Sequence, residues 1–269
     1  MTARSVFVLM RAAQRGALRA ALPVVLLAAP PLAAQELAQG ASATRDAPTA
    51  ESLLARWAAS RGDRAAWDAL VAFEVRGTLS ANGRENDVRL LRDRAGRVRY
   101  ERRYRGMLRV FLDDGERGWL RDWQSESFAP LDAAAREQHL QDVDLLAPLP
   151  ESLRRYREIE QIGTEQDPSG RGLVVIRLTP PEGLPLDLAI DADTGRAERA
   201  LYRYVDPEDG GPFEMDVFLL EDLEAEGDGG SIVLSRYQER DQGTSVTVWT
   251  AEHAELLDRV DESELRPPP

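Results

Sequence analysis

The residues with the clearest resemblance to a catalytic motif are Asp193-Thr194-Gly195, a tripeptide that holds one catalytic carboxylate in aspartic proteases. That chemistry needs two carboxylates that share one proton, and the sequence contains one copy of the tripeptide. With Asp191, the segment loosely resembles a calcium loop, but Gly195 is fifth where the EF-hand pattern requires Gly at the sixth position. We therefore expect a hairpin turn between Ile190 and Ala197, in which Gly195 has a positive φ.

Other reactive groups are scarce. The sequence has no Cys and two His, His139 and His253, neither of which has a second His at ligand spacing, so zinc and thiol chemistry have no residues to use. A nucleophile elbow, a phosphate-binding loop and a dinucleotide fingerprint are absent from the sequence. The 47 acidic residues offer too many carboxylate pairs to single one out. We predict no catalytic, metal or cofactor site, and a protein that is not an enzyme.

One stretch is strongly basic. Nine arginines lie between Arg89 and Arg109, against two acids, Asp93 and Glu101. Period-two alternation places four of the arginines on one face of one strand: Arg97, Arg99, Arg103 and Arg105. This face is either a solvated outer surface paired with neighbouring acids or a docking face for phosphate head groups or an acidic envelope partner.

Residues 1–34 have the pattern of a secretory signal peptide. Four arginines precede or flank an apolar run at 20–29, which is followed by small residues at 33–34. The run is shorter than the roughly 20 residues of a membrane-spanning helix, and no Cys follows it to carry a lipid anchor. We predict an exported protein with no transmembrane segment in the mature chain. Its net charge of −13 also argues against nucleic acid as a partner.

After the signal we predict a flexible polar leader at 35–48 and one domain at 49–266. Leu53, Leu54 and Trp57 have helical spacing behind Thr49, a plausible N-cap, and Asp63 precedes a second short helix. A third helix is predicted at 131–146, ahead of Pro148.

Strands dominate the remainder. From Val71 the apolar period falls to two, and hairpin signals such as Asn82-Gly83 punctuate the chain. Strands are predicted at 71–81, 86–94, 97–105, 107–113, 117–123, 155–164, 172–179, 184–190, 196–205, 213–224, 231–238 and 243–251. The fold class is mainly β (α+β): a curved antiparallel sheet, a half-barrel of about 11 to 12 strands whose concave side is covered by helices.

Local strings in this order are similar to those of one known family. They are the helix at 53–57, GDRA at 62–65, VAFEVRGT at 71–78, DGERGW at 114–119, IDADTG at 190–195 and RVDESEL at 259–265. Together they resemble the bacterial outer-membrane lipoprotein-sorting carriers across 49–266. The resemblance implies a periplasmic, cofactor-free carrier that holds acyl chains in an apolar cavity. The acidic charge and the polar, acidic segment at 221–230 depart from that family.

The sequence-based hypothesis is therefore a periplasmic binding protein for a lipid or a lipidated protein. Its partners would be acyl chains, with the helix at 140–146 as a lid. The residues predicted to line the cavity are Phe73, Val75, Leu79, Leu140, Val143, Leu146, Leu186, Leu188, Val217 and Leu219. The same residues would equally suit a solid core. Two alternatives are an envelope-stress sensing module of the same fold, which binds a protein partner, and a secreted hydrolase.

Overall fold

The computed structural model of the protein describes residues 48–147, 150–205, 212–227, 230–241, 243 and 245–267. The predicted signal peptide, 1–34, and the predicted leader apart from Pro48 lie outside the described residues.

Three α-helices form in the described ranges: α1 Ala50–Ala59, α2 Arg64–Ala69 and α3 Ala133–Leu146. Two 3₁₀ helices follow at Pro150–Arg155 and Glu262–Leu265. The predicted Thr49 cap of α1 is confirmed, since its side chain accepts a hydrogen bond from the Ser52 amide. Asp132 caps α3 in the same manner through the Ala135 amide. These caps satisfy amide groups that the first helical turn leaves free.

Thirteen strands form in the described part of the chain. They are β1 Ala72–Ala81, β2 Arg84–Asp93, β3 Val98–Tyr104, β4 Met107–Asp113, β5 Gly118–Arg121, β6 Ala129–Pro130, β7 Glu158–Gln166, β8 Gly172–Thr179, β9 Leu186–Asp191, β10 Ala197–Val205, β11 Pro212–Gly227, β12 Gly230–Asp241 and β13 Val246–Leu257. The predicted fold class is confirmed, with one short strand, β6, that the sequence analysis missed. A two-residue strand is too short for alternation to reveal it.

The strands form one antiparallel sheet in the order β6-β5-β4-β3-β2-β1-β13-β12-β11-β10-β9-β8-β7. The sheet consists of two meanders, β1–β6 and β7–β13, which meet where β1 pairs with β13. Its edge strands, β6 and β7, do not pair with each other, so the sheet is a curved half-barrel and not a closed barrel. Helix α3 lies in the chain between the two meanders.

Tight turns join most neighbouring strands. Asn82 and Gly83 both have positive φ values, 50° and 72°, in the β1–β2 hairpin. Arg105 and Gly106, at 48° and 83°, do the same between β3 and β4. Two consecutive positive φ values define the type I′ turn, whose twist matches that of the strands it connects. The predicted Asn82-Gly83 turn is thereby confirmed.

The two faces of the sheet differ in what covers them. Phe73, Val75 and Leu79 of β1 pack against side chains of α2 and α3, while Glu74 points to the opposite face and pairs with Arg89. A second cluster joins β8–β11 to α1 and to Tyr156. The three α-helices therefore cover one face, and the second 3₁₀ helix lies on the other through Arg89 and Glu264.

Candidate functional site

The face of the sheet that carries the three α-helices, here called the concave face, holds every residue predicted to line a cavity. Six belong to the cluster under α2 and α3: Phe73, Val75, Leu79, Leu140, Val143 and Leu146. Four belong to the cluster under α1: Leu186, Leu188, Val217 and Leu219. The structure thus gathers these residues in two adjoining apolar groups, and all ten are buried.

Little free volume remains between helix α1 and the apolar cluster beneath it. The recess under α1, lined by Trp57, Leu145, Tyr156 and Leu219, has a volume of about 20 Å³, enough for roughly one water. The residues of this cluster are therefore packed against α1, and all ten predicted residues are buried in this conformation. Their role as the lining of a ligand cavity stays a prediction that requires a helix to move.

Helix α3 is attached to the first meander by buried ion pairs. Arg92 of β2 donates to Asp144 at 2.7 Å and to the Ala147 carbonyl at 3.1 Å. Arg155 lies 2.7 Å from the other oxygen of Asp144. Arg136 of α3 donates to both oxygens of Asp113 of β4, at 2.5 and 3.0 Å.

The same helix is attached to the second meander by further polar contacts. Asp142 accepts from Arg240 of β12, and Gln238 donates to the Leu145 carbonyl. Tyr202 of β10 donates to the Gln138 carbonyl at 2.7 Å. A buried ion pair contributes little net free energy, because the attraction between the two charges is offset by the cost of removing them from water. Helix α3 is therefore held in position by directional contacts that cost little to release together, which suits the predicted lid.

An open cleft of about 510 Å³ separates α3 from one end of the concave face. Its apolar lining includes Leu79, Leu120, Leu131, Tyr202 and Met215, and its polar lining includes Arg102, Arg109, His139, Asp142 and Arg240. Because it continues from the apolar cluster that contains Leu79, the cleft is an amphipathic entrance to that cluster.

Burial is the main cause of the pKa shifts of two titratable groups of α3, His139 and Glu137. Burial, reinforced by the positive charge of Arg109, lowers the pKa of His139 to about 4, and its ring stacks on Phe111 with 4.8 Å between centroids. His139 is therefore neutral at pH 7 and contributes no charge to the cleft. Burial raises the pKa of Glu137, against the opposing effects of Arg155 and Arg136.

The arginines predicted to form a docking face divide into two pairs. Arg97 bonds Asp93 and Glu262, and Arg99 bonds Glu101 and the Glu264 carbonyl. Arg103 and Arg105, in contrast, are exposed, and Arg105 lies over the Tyr104 ring at 5.2 Å. Near the second 3₁₀ helix, this arginine face is therefore a surface paired with neighbouring acids, which is the first of the two interpretations. Docking through Arg103 and Arg105 stays a prediction.

The sequence analysis missed Arg102 and Arg109, the cleft arginines. They belong to the same basic stretch, but Arg102 has the parity of Val98 and Tyr100, which are buried in the core. This alternation is the signal that places Arg102 on the covered face, although the arginines of the opposite face are more numerous in the strand.

The Asp193-Thr194-Gly195 motif forms the expected turn between β9 and β10. Gly195 has φ 74°, and Asp191 accepts from the amides of Asp193 and Thr194 at 2.8 and 2.9 Å. These hydrogen bonds lower the pKa of Asp191 although burial opposes them. Within the described ranges, no three His, Cys, Asp or Glu side chains are grouped to hold a metal ion. No helix in that part of the chain is long and apolar enough to span a membrane.

No family model matches the sequence, and no curated protein matches it. Solved structures do match. A LolA superfamily protein from Nitrosomonas europaea aligns with a TM-score of 0.54 and 12% identity, over 81% of this chain and 97% of that one. The chain has the fold of this LolA superfamily protein.

Two further structures agree with this assignment of the fold. A Vibrio parahaemolyticus protein described as an outer membrane lipoprotein-sorting domain aligns with a TM-score of 0.54 and 10% identity, over 81% of this chain and 95% of that one. A DUF1329 family protein from Desulfovibrio piger gives 0.52 and 12%, over 81% and 97%. The resemblance found in the sequence is confirmed at the level of the fold.

Proposed function

We propose that the protein is a non-enzymatic carrier or binding protein for a lipid or a lipidated protein, which holds acyl chains between the concave face and helix α3. The observation that carries the proposal is that α3 covers an apolar face but is attached to the sheet by polar contacts. The sheet face below the helix is apolar, whereas Arg92, Asp113, Gln238 and Arg240 attach the helix from the two meanders by polar contacts. A helix attached in this way can leave without breaking the sheet.

The magnitudes support an exchange of α3 for acyl chains. Helix α3 buries four apolar side chains: Leu140, Val143, Leu145 and Leu146. Moving them into water costs about 6–12 kcal/mol at the usual 1.5–3 kcal/mol each. An acyl chain that buries about 14 methylenes contributes about 11 kcal/mol. The free energy of burying one acyl chain therefore roughly offsets the cost of displacing the helix, and that of burying two chains exceeds it. This favours cargo with two or more acyl chains.

The proposed location is the periplasm. The signal-peptide pattern at 1–34 supports export, and the fold is shared with proteins described as lipoprotein-sorting domains. An acyl chain that crosses an aqueous compartment must be shielded from water, and a curved sheet with a removable cover provides that shield without reactive groups.

The test is to purify the chain without detergent from the envelope fraction of its host and to analyse an organic extract by mass spectrometry. We expect a lipid or acylated species in stoichiometric amount. The delipidated protein should then bind a fluorescent diacyl lipid saturably and extract it from vesicles. An extract free of lipid, together with no saturable binding by the folded protein, would contradict the proposal.

A further inference from the structure

Arg102 of β3 and Arg109 of β4 are direct partners across the sheet. Both line the cleft under α3 and a smaller recess beside it, whose lining also includes Tyr100, Phe111, His139 and Asp142. Side chains directly opposite each other on antiparallel strands have Cβ atoms about 4.5–5.5 Å apart. Like charges in that arrangement are destabilising, so this pair requires an explanation.

The other arginines that reach α3 from the concave face have a dedicated acid. Arg92 pairs with Asp144 and Arg240 with Asp142. Arg102, in contrast, makes no ion pair with any described residue. Among the described residues, Arg109 forms an ion pair with Asp122 alone, whose Oδ1 lies 3.4 Å from the Arg109 Nε and whose side chain is 64% exposed. The cleft therefore contains more positive charge than its acids neutralise, in a protein whose net charge is −13.

Three buried donors at this position also lack a hydrogen-bond partner among the described residues: the Nε atoms of Arg102 and Arg109 and the hydroxyl of Tyr100. The Nε atoms of Arg92 and Arg240 also lack a partner among the described residues, so the missing acid and the Tyr100 hydroxyl distinguish this position, and a buried donor without a partner calls for an explanation such as a missing ligand. Burial and the neighbouring Arg102 lower the pKa of Arg109, although Asp122 opposes them. An anion in the cleft would satisfy the donors and neutralise the two guanidinium groups at once.

We propose that Arg102 and Arg109 bind the anionic headgroup of the cargo, so that the preferred ligand is an acidic amphiphile that carries a phosphate or a carboxylate. This inference rests on the proposed function, because the acyl chains of the same molecule would occupy the apolar clusters. Guanidinium groups donate in a planar fork that matches the oxygens of phosphate and carboxylate. The recess of about 40 Å³ at these residues opens beside the larger cleft, whose apolar side begins at Leu79 and Leu120.

The experiment compares two lipids that differ in the headgroup alone, dioctanoyl phosphatidic acid and dioctanoyl glycerol. Each displaces a fluorescent neutral diacyl probe from the delipidated full chain. We expect the acid to bind at least tenfold more tightly, because a charge-assisted hydrogen bond contributes at least that factor. The double variant Arg102→Gln/Arg109→Gln should lose this preference and retain the affinity for dioctanoyl glycerol. Arg64→Gln, whose side chain is 92% exposed on α2 and does not line the cleft, is the matched control and should retain both affinities.

The outcomes separate the two proposals. Equal binding of both lipids by the native protein would overturn the headgroup site and leave the carrier proposal intact. Binding of neither the fluorescent diacyl probe nor the two lipids would contradict the carrier itself. Inorganic phosphate alone, if it binds with the same dependence on the two arginines as the acidic lipid, would indicate a site for the free anion and overturn the lipid assignment. Should the double variant not fold, the comparison of the two lipids on the native protein still decides.

Discussion

Gly118 of β5 and Arg136 of α3 are in close contact where the helix covers the first meander. A Cβ placed on Gly118 would lie 3.4 Å from the Cβ of Arg136, near the 3.5–4.5 Å that a disulfide spans. Gly118 does not need a positive φ, so another residue fits its backbone. Because the chain has no Cys, a disulfide introduced here would be the sole one and would join the helix to β5 of the sheet.

The pair Gly118→Cys/Arg136→Cys should therefore lock α3 in a redox-dependent manner. We expect the oxidised protein to load a diacyl lipid from vesicles at least tenfold more slowly than the same protein after reduction. The measurement is the transfer rate of a fluorescent lipid with and without reductant. Equal rates in both redox states would show that α3 is not the cover that moves.

The single variant Arg136→Cys is the control for the lost ion pair with Asp113. It should respond to reductant no more than the native protein does. Because Asp113 is almost fully buried, this variant is expected to be less stable than the native protein in both redox states. Both redox states of the double variant lack the ion pair with Asp113, so comparing them removes the effect of its loss.

Asp144 is the buried acid on which two arginines converge, and its removal should be costly. The Arg92 and Asp144 side chains are 2% and 7% exposed, and Asp144→Ala leaves the Arg92 charge buried with the Ala147 carbonyl as its remaining partner. We expect the free energy of unfolding to fall by about 3 kcal/mol or more, measured by urea denaturation. Arg64→Ala, in an exposed pair with Asp68, should change it by less than about 0.5 kcal/mol.

The strands could be predicted from the sequence because their signals are local. The β8 bounds are those predicted, 172–179, and Asn82-Gly83 and Gly195 form the expected turns. The alternation of Phe73, Val75 and Leu79 identified the face that the helices cover. Each of these inferences depends on a period or on a turn within a few residues, which the sequence displays directly.

The attachment of α3 could not be predicted, because it joins residues far apart in the chain. Nothing near Arg92 indicates that its acid is Asp144, and nothing near Asp142 indicates Arg240. The cleft arginines could not be identified for the same reason. Strands β3 and β4 place Arg102 opposite Arg109, but whether an acid pairs with them depends on how the distant helix packs. Long-range pairing of charges leaves no periodic trace in a single sequence.

Gly77 should be indispensable to the sheet. It lies at a register shift in β1, where a Cβ would come 2.0 Å from the Thr250 carbonyl oxygen of β13. Gly77→Ala must therefore push apart the two strands that join the meanders, and we expect a loss of several kcal/mol or failure to fold. Gly163→Ala, at a similar shift in β7 with open space around it, should cost little. Thermal unfolding of the two variants measures the difference.

His139 should make the stability of the protein depend on pH. Its pKa is about 4 in the folded chain, lowered from 6.5 by burial first and by Arg109 next. Between pH 6.5 and 4 the unfolded chain binds a proton that the folded chain does not, so this residue lowers the free energy of unfolding as the pH falls through that range. His139→Gln should therefore lose less stability than the native protein between pH 7 and 4.5. His253→Gln, at an exposed site, should follow the native protein.

The same histidine also reports on the cleft. Since the chain has two His, proton NMR resolves both rings, and His253→Gln assigns them. Arg102 and Arg109 both lower the pKa of His139, while Asp142 raises it. A bound phosphate headgroup would offset the two arginines, so saturation with dioctanoyl phosphatidic acid should raise the pKa of His139. Dioctanoyl glycerol would supply no charge to offset them and should produce no such rise. An unchanged pKa at saturation with the acidic lipid would place its phosphate elsewhere in the protein.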